Sequence, residues 1–202
     1  MSAAHPETLT IERRLTSAQA ERRDRVREAA RALAEAGGYA AVTMDAVAER
    51  SGVARATIYR YFASKDHLLA EVAVDWGREI AARLQSDPPS GATTAARVAS
   101  CLRQVLEAAF ARPRLTAAVV ASAISSEPEA VRAQQRFTSV IPGLLDVAIA
   151  DAAVARRADI EGLIGHVLFS VLVNATSGRI DADEAMDRLQ TAAELLFREE
   201  IR

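Results

Sequence analysis

Apolar positions along this chain recur at intervals of three and four residues, so the pattern predicts helices throughout. From about Glu21 to Ala36, Val26, Ala30, Leu33 and Gly37 share one face, and Gly37-Gly38-Tyr39 predicts the stop. Thr43 predicts the N-cap of a short helix, Met44 to Arg50, in which Met44, Val47 and Ala48 point one way. Ser51-Gly52-Val53 reads as a turn. A third short helix follows from Ala54 to about Tyr61, with Val53, Ile58, Tyr61 and Phe62 available for packing. Ser64 caps a longer helix towards Leu84, which "SDPPSGATT" at 86–94 ends. Five further helices are expected at about 93–111, 114–125, 128–150, 157–177 and 182–199, with Pro142 kinking or splitting the third. Residues 1–20 carry no sustained periodicity and are expected to form a flexible, partly basic arm. The expected fold class is all-α, about nine helices, with an N-terminal unit at 21–68 and a larger helical unit at 69–202.

Composition agrees with that reading and narrows the setting. Half of the 202 residues are apolar and 26% are charged, the profile of an ordinary soluble protein. The single cysteine, Cys101, forms no intramolecular disulfide and no multi-cysteine metal site, and a reducing, cytoplasmic interior is expected. The opening "MSAAHPETLTIERRL" lacks the basic and apolar regions of a secretory signal. The longest stretch without a charge runs from Gly162 to Gly178 but carries His166, Ser170, Asn174, Thr176 and Ser177, so a buried helix is expected rather than a membrane span. The net charge of −2 divides into +2 over residues 1–70 and −4 over 71–202. Arg13, Arg14, Arg22, Arg23, Arg25 and Arg27 cluster near the start, a front that permits contact with a polyanion.

Chemistry concentrates in "VARATIYRYFASK", residues 53–65, which holds two of the three tyrosines. Two short helices joined by a glycine-containing turn and laid across a preceding helix make a helix-turn-helix, here at about 44–63. The second of them enters the major groove of DNA. Ile58, Tyr61 and Phe62 face inward, which leaves Arg55, Thr57, Tyr59 and Arg60 outside. Arg55 can fork onto guanine, Ala56 can touch a thymine methyl, and Tyr59 can bond a phosphate or a base edge. Lys65, at the start of the next helix, can hold a phosphate together with free backbone N–H groups. Simple packing is the alternative role for Tyr61 and, less readily, for Tyr59.

On these residues the chain resembles a known family. "GGYAAVTMDAVAERSGVARATIYRYFASKDHLL", 37–69, is similar to the DNA-binding domain of TetR-type transcriptional regulators. The resemblance implies a homodimer whose N-terminal heads bind a palindromic double-stranded operator. The body would hold a ligand pocket, and the last two helices would form a four-helix bundle across the two-fold axis. It places phosphate contacts on Thr43, Thr57, Tyr61 and Lys65, and base-facing positions on Arg55, Ala56 and Tyr59. Many members have glycine where this chain has Ala56. Members are usually repressors released by a small molecule that favours heads misspaced for half-sites about 34–36 Å apart. The stretch "TTAARVASCLRQVLEAAFARPRLTAAVV" also resembles the branch that controls sterol and lipid breakdown, which implies a lipid-like or acyl-CoA effector.

For the effector site the residues speak without that help. Beyond residue 70 the aromatics are Trp76, Phe110, Phe137, Phe169 and Phe197 among many Ala, Val and Leu, a lining suited to a small hydrophobic ligand. His166, Ser170, Asn174 and Ser177, spaced 4, 4 and 3, form one polar stripe on an apolar helix. A pocket lining, a buried seam between subunits and an exposed face remain open for it. Candidate effector contacts are Trp76, Phe110, Phe137, His166, Ser170 and Asn174.

No nucleophile elbow, zinc-helix motif, phosphate loop or dinucleotide fingerprint is present, so neither an enzyme, a cofactor nor a metal is expected. "DADE" at 181–184 reads as the acidic start of a helix. A helical protein-binding adaptor is the competing function; it does not account for Arg55, Tyr59 and Lys65 on the surface of a helix-turn-helix.

Overall fold

The first helix starts on a capping box. Thr16 accepts the Gln19 backbone N–H through its hydroxyl at 3.3 Å, while the Gln19 side chain accepts the Thr16 N–H at 2.9 Å. The computed structural model describes residues 16–138, 140–149 and 156–197, without the side chains of 137–142. Helix α1, Ser17–Ala41, therefore begins four residues before the expected start, and residues 17–20 are helix rather than arm. The rest of the expected arm lies outside the described residues. Gly38, at φ 69°, interrupts α1 at the glycine pair where the stop was expected.

Helix α2, Met44–Ser51, is capped by Thr43, whose hydroxyl accepts the Ala46 N–H at 3.1 Å. Gly52 ends it in the left-handed conformation, φ 66° and ψ 21°, which a residue with a Cβ adopts only at a cost. Helix α3, Arg55–Tyr61, follows, and Ser64 caps α4, Lys65–Ser86, by accepting the His67 N–H at 3.0 Å. Helices α5, Thr94–Phe110, and α6, Pro113–Ala123, stand where the pattern placed them.

The expected 128–150 helix is two, α7, Pro128–Thr138, and α8, Val140–Ile149. A proline at 142 has no N–H to offer the carbonyl of residue 138, so one helix cannot run through. Helices α9, Arg157–Thr176, and α10, Ala182–Leu196, complete a set of ten among the described residues. Asp181 caps α10 by accepting the Glu184 N–H at 2.9 Å, which gives "DADE" its structural role.

One apolar core runs through the described residues. Val26, Ala30, Val47, Ile58 and Phe62 fill its N-terminal end, and Leu84, Leu106, Leu115, Leu145, Ile164 and Leu189 fill the rest. Helix α4 joins the two ends, packing against α1, α6, α7 and α8, while α1 also packs directly on α6. Its contact with α1 carries a ladder of ion pairs: Arg23 to Glu71 at 2.8 Å, Arg27 to Asp75 at 3.1 Å, and Arg31 to Glu79 at 2.9 Å. Each rung joins residues 48 apart, so α1 and α4 run side by side in the same direction. This corrects the reading of the early arginines as one polyanion-facing front: Arg23 and Arg27 are committed to α4. Arg22 and Arg25 are exposed, and Arg13 and Arg14 lie outside the described residues.

Glu71, the buried end of the ladder, also accepts Arg136 from α7. His67 completes this cluster. Its Nδ1 accepts the Ala63 N–H at 3.2 Å, leaving the ring proton on Nε2, 3.8 Å from the carboxylate.

Candidate nucleic-acid interface and effector cavity

Two fully buried side chains, Ile58 and Phe62, fix the orientation of α3. Helical spacing then turns Arg55, Ala56, Tyr59 and Arg60 to solvent, with Thr57 and Tyr61 half-buried at the edges. Tyr59 keeps 45% of its surface exposed, a large aromatic held outside for no packing reason. Arg55 pairs with Asp45 of α2 at 2.7 Å, and its guanidinium stands 5.6 Å from the centre of the Tyr59 ring. The planar donor fork is thus presented at the N-terminal end of α3, beside an aromatic platform.

Thr43 and Lys65 flank this face from the starts of α2 and α4. The Lys65 ammonium lies 3.5 Å above the Tyr39 ring and 3.4 Å from the Tyr39 carbonyl. The Tyr39 hydroxyl in turn donates to Asp66 at 2.7 Å. That hydrogen bond, helped by burial, pushes the phenol up to about 12. The structure therefore gathers Thr43, Arg55, Ala56, Thr57, Tyr59, Arg60, Tyr61 and Lys65 around one helix-turn-helix. Asp45, which holds Arg55, was not singled out by sequence, and Tyr39, which holds Lys65, was read only as part of the stop of the first helix.

The second candidate site is a partly open cavity of about 330 Å³ bordered mainly by α4, α5, α6 and α9. Its walls are largely apolar, from Ala73 and Ile80 of α4, Val105 of α5, Val119 of α6 and Leu168 of α9. Of the candidate effector contacts, Trp76 and His166 border it. Phe110, half-buried, packs on the core instead, and neither Ser170 nor Asn174 borders the cavity. The Phe137 side chain lies outside the described residues. Small residues at 70, 73 and 77 of α4 open the space, a stripe of Ala, Ala and Gly that sequence reading passed over. A larger recess of about 630 Å³, walled partly by Arg83, Asp87, Arg103 and Glu107, is a polar groove on the surface between α4 and α5.

The polar stripe of α9 divides between two surroundings. His166 is at the cavity rim with Nδ1 2.7 Å from the Gly162 carbonyl. Asn174 and Ser177 turn back onto carbonyls of their own helix, at 2.8 and 2.7 Å. Beside them Leu163 and Phe169 stand 51% and 38% exposed, so only one side of α9 is buried in the single chain. The expectation of a buried helix holds for that side alone. The open side mixes Leu163 and Phe169 with His166 and Ser170, and α9 is long and apolar enough to cross a membrane by length and composition alone.

An outward-facing recognition helix on an all-helical body with a largely apolar cavity defines a helix-turn-helix transcriptional regulator. Residues 26–72 match the bacterial regulatory proteins of the tetR family, and residues 91–196 match the tetracyclin repressor-like C-terminal domain. Over 90% of its length the chain is 34% identical to the HTH-type transcriptional repressor KstR of Rhodococcus jostii, covering 85% of that protein. A crystal structure of a TetR transcriptional regulator from a Rhodococcus species matches with a TM-score of 0.80 at 26% identity, over 91% of this chain and 99% of that one. The Bacillus subtilis regulator FadR, solved in complex with stearoyl-CoA, shares the fold at a TM-score of 0.60 and 16% identity, over 87% and 97% of the two chains. The chain belongs to the TetR family, and it is a DNA-binding transcriptional regulator.

Proposed function

We propose that this regulator is a cytoplasmic homodimeric repressor that binds a palindromic operator through α3 and is released by a small hydrophobic effector. Its head comprises residues 21–68 and its effector and dimerisation body residues 69–202. The observation that carries the reading is the α3 surface, where Arg55, Tyr59 and Arg60 face solvent while Ile58 and Phe62 are buried beneath them. Arg55, Ala56 and Tyr59 read base edges; Thr43, Thr57, Tyr61 and Lys65 hold phosphates. Selection of binding sites from a random duplex library at near-physiological salt is expected to enrich an inverted repeat with half-sites about 34–36 Å apart. Absence of enrichment by a folded, dimeric protein rules the operator reading out.

The effector is lipid-like, and the fold shared with a stearoyl-CoA-binding regulator supports an acyl-CoA as one form of it. At about 330 Å³ the cavity lies at the small end of ligand sites, so it takes the acyl or ring portion rather than a whole coenzyme thioester. Effector binding favours a body conformation in which the heads no longer match the half-sites.

The open side of α9, with Leu163 and Phe169, and Leu195 of α10, 59% exposed, supports the subunit interface. Leu163→Glu places an unpaired charge there and is expected to weaken self-association at least about tenfold. Sedimentation velocity would then show a monomer where the parent protein is a dimer, with the helical content unchanged. A variant that remains dimeric at the same concentration moves the interface elsewhere.

A further inference from the structure

The mouth of the cavity lies on α9. The residues that border it from α4, α5 and α6 are all buried or half-buried, as are Gln134 of α7 and Leu144 of α8. Among the described residues, the exposed members of its rim are Gly162, His166 and Phe169, all from α9. Spacings of four and three place those three residues along one edge of the helix. Leu163 and Ser170 stand next to that edge on the same open side. No Asp, Glu, Lys or Arg occurs from Gly162 to Gly178, so an exposed helix side of about four turns carries none of the charge that water-facing helices carry. Phe169 belongs both to the cavity rim and to the face assigned above to the subunit interface. The mouth and that face are thus one stretch of surface.

We infer that a second copy of this chain closes the mouth of the cavity, so that the effector site is complete only in the dimer. This rests on the readings of the cavity as the effector site and of α9 as part of the interface. In a two-fold dimer the same patch meets itself, which sets the partner's α9 against the rim.

Two consequences follow from the closure. A guest that is covered by the partner gains contact it lacks in the single chain, so the dimer favours binding and, by reciprocity, the guest favours the dimer. Release from DNA then leaves the subunits together, with their heads misspaced rather than parted. An effector longer than the cavity leaves it past His166 and Phe169 into a seam without charge, which suits a neutral linking group of the amide or ester type.

The test uses the full-length protein and bromocyclohexane, a compact apolar probe whose bromine quenches a neighbouring indole. Trp76 is the only tryptophan and borders the cavity, so its fluorescence reports occupancy. Leu163→Glu removes the partner without touching the wall, since Leu163 does not border the cavity. The dimeric parent protein is expected to bind the probe about tenfold more tightly than Leu163→Glu, and dilution of the parent below its dimer constant should give the weaker value with no substitution at all. Saturating probe should in turn tighten the dimer in sedimentation, by the same factor for each site filled. Equal affinity in dimer and monomer overturns the closure and leaves the cavity and the interface as they are. Leu163→Glu that stays dimeric overturns the interface reading and the closure with it, and absence of quenching in both states overturns the cavity reading.

Discussion

Glu71→Gln is expected to lower the stability of the protein by about 3 kcal/mol, read as a fall in the urea midpoint at pH 7 with an unchanged slope. The Glu71 carboxylate is 5% exposed and answers Arg23 of α1, Arg136 of α7 and His67 one turn earlier on α4. Removing one partner from such a cluster leaves two guanidinium groups facing a neutral amide. The loss stays at the lower end for a buried pair because Arg23 and Arg136 are 26% and 50% exposed and can turn towards water.

Acid should expose the same interaction in the parent protein. Burial by itself would push the Glu71 carboxyl up, but the nearby His67 ring and the Arg23 and Arg136 charges outweigh it and hold the group down to about 2. A carboxyl depressed in the folded state stabilises above its unfolded value of about 4.3, and the contribution disappears as pH falls through the folded value. The parent protein is therefore expected to lose roughly 2 kcal/mol more than Glu71→Gln between about pH 4.5 and pH 2, after allowance for screening at the two arginines. Parallel loss of stability in the two proteins over that range would falsify the assignment of this step to Glu71.

Local chemistry made most of the fold legible. Thr43 and Ser64 cap helices where a hydroxyl stands before an apolar run, Asp181 does so with its carboxylate, and Gly52 supplies the left-handed turn of the helix-turn-helix. The spacing of Ile58, Tyr59 and Phe62 sorts inside from outside within one turn. The Thr16 to Gln19 capping box was equally legible, since it follows the same three-residue rule, and it was missed by treating the region as an arm.

What stayed hidden depends on which helices meet. Arg23, Arg27 and Arg31 look like a basic surface until α4 lies beside α1, because α2 and α3 separate the partners in sequence. Period-four acids at Glu71, Asp75 and Glu79 were the available signal; a matching stripe on each helix is what a ladder requires. The cavity depends even more on tertiary packing. Ala70, Ala73 and Gly77 matter through the side chains they lack, and small residues on an alanine-rich helix look the same whether they face a void or a neighbour.

Arg55→Ala is expected to cost the specific operator complex roughly ten- to hundredfold in affinity, the discrimination of one bidentate contact to guanine, while binding to a scrambled duplex of equal length falls much less. Fluorescence anisotropy on both duplexes over a range of salt concentrations measures the difference. The fold should not notice the change, since Arg55 is 54% exposed and its partner Asp45 72%, so the urea midpoint and the dimer are expected to stay as they are. Tyr59→Phe should act in the same direction and more weakly, because the ring that flanks the guanidinium remains and only the hydroxyl, 3.4 Å from Arg55, is lost. Equal weakening on both duplexes would make Arg55 a phosphate contact, and unfolding of the variant would make it structural. Asp45 sharpens the contrast. It occupies the guanidinium in the free protein, so DNA must offer Arg55 a partner that competes with a carboxylate at 2.7 Å. A lone backbone phosphate on random sequence replaces one anion with another, whereas the paired acceptors of guanine bring a second hydrogen bond in the plane of the fork. The pair therefore favours release of Arg55 to the correct base over release to the backbone, and Arg55→Ala should remove that preference along with the contact.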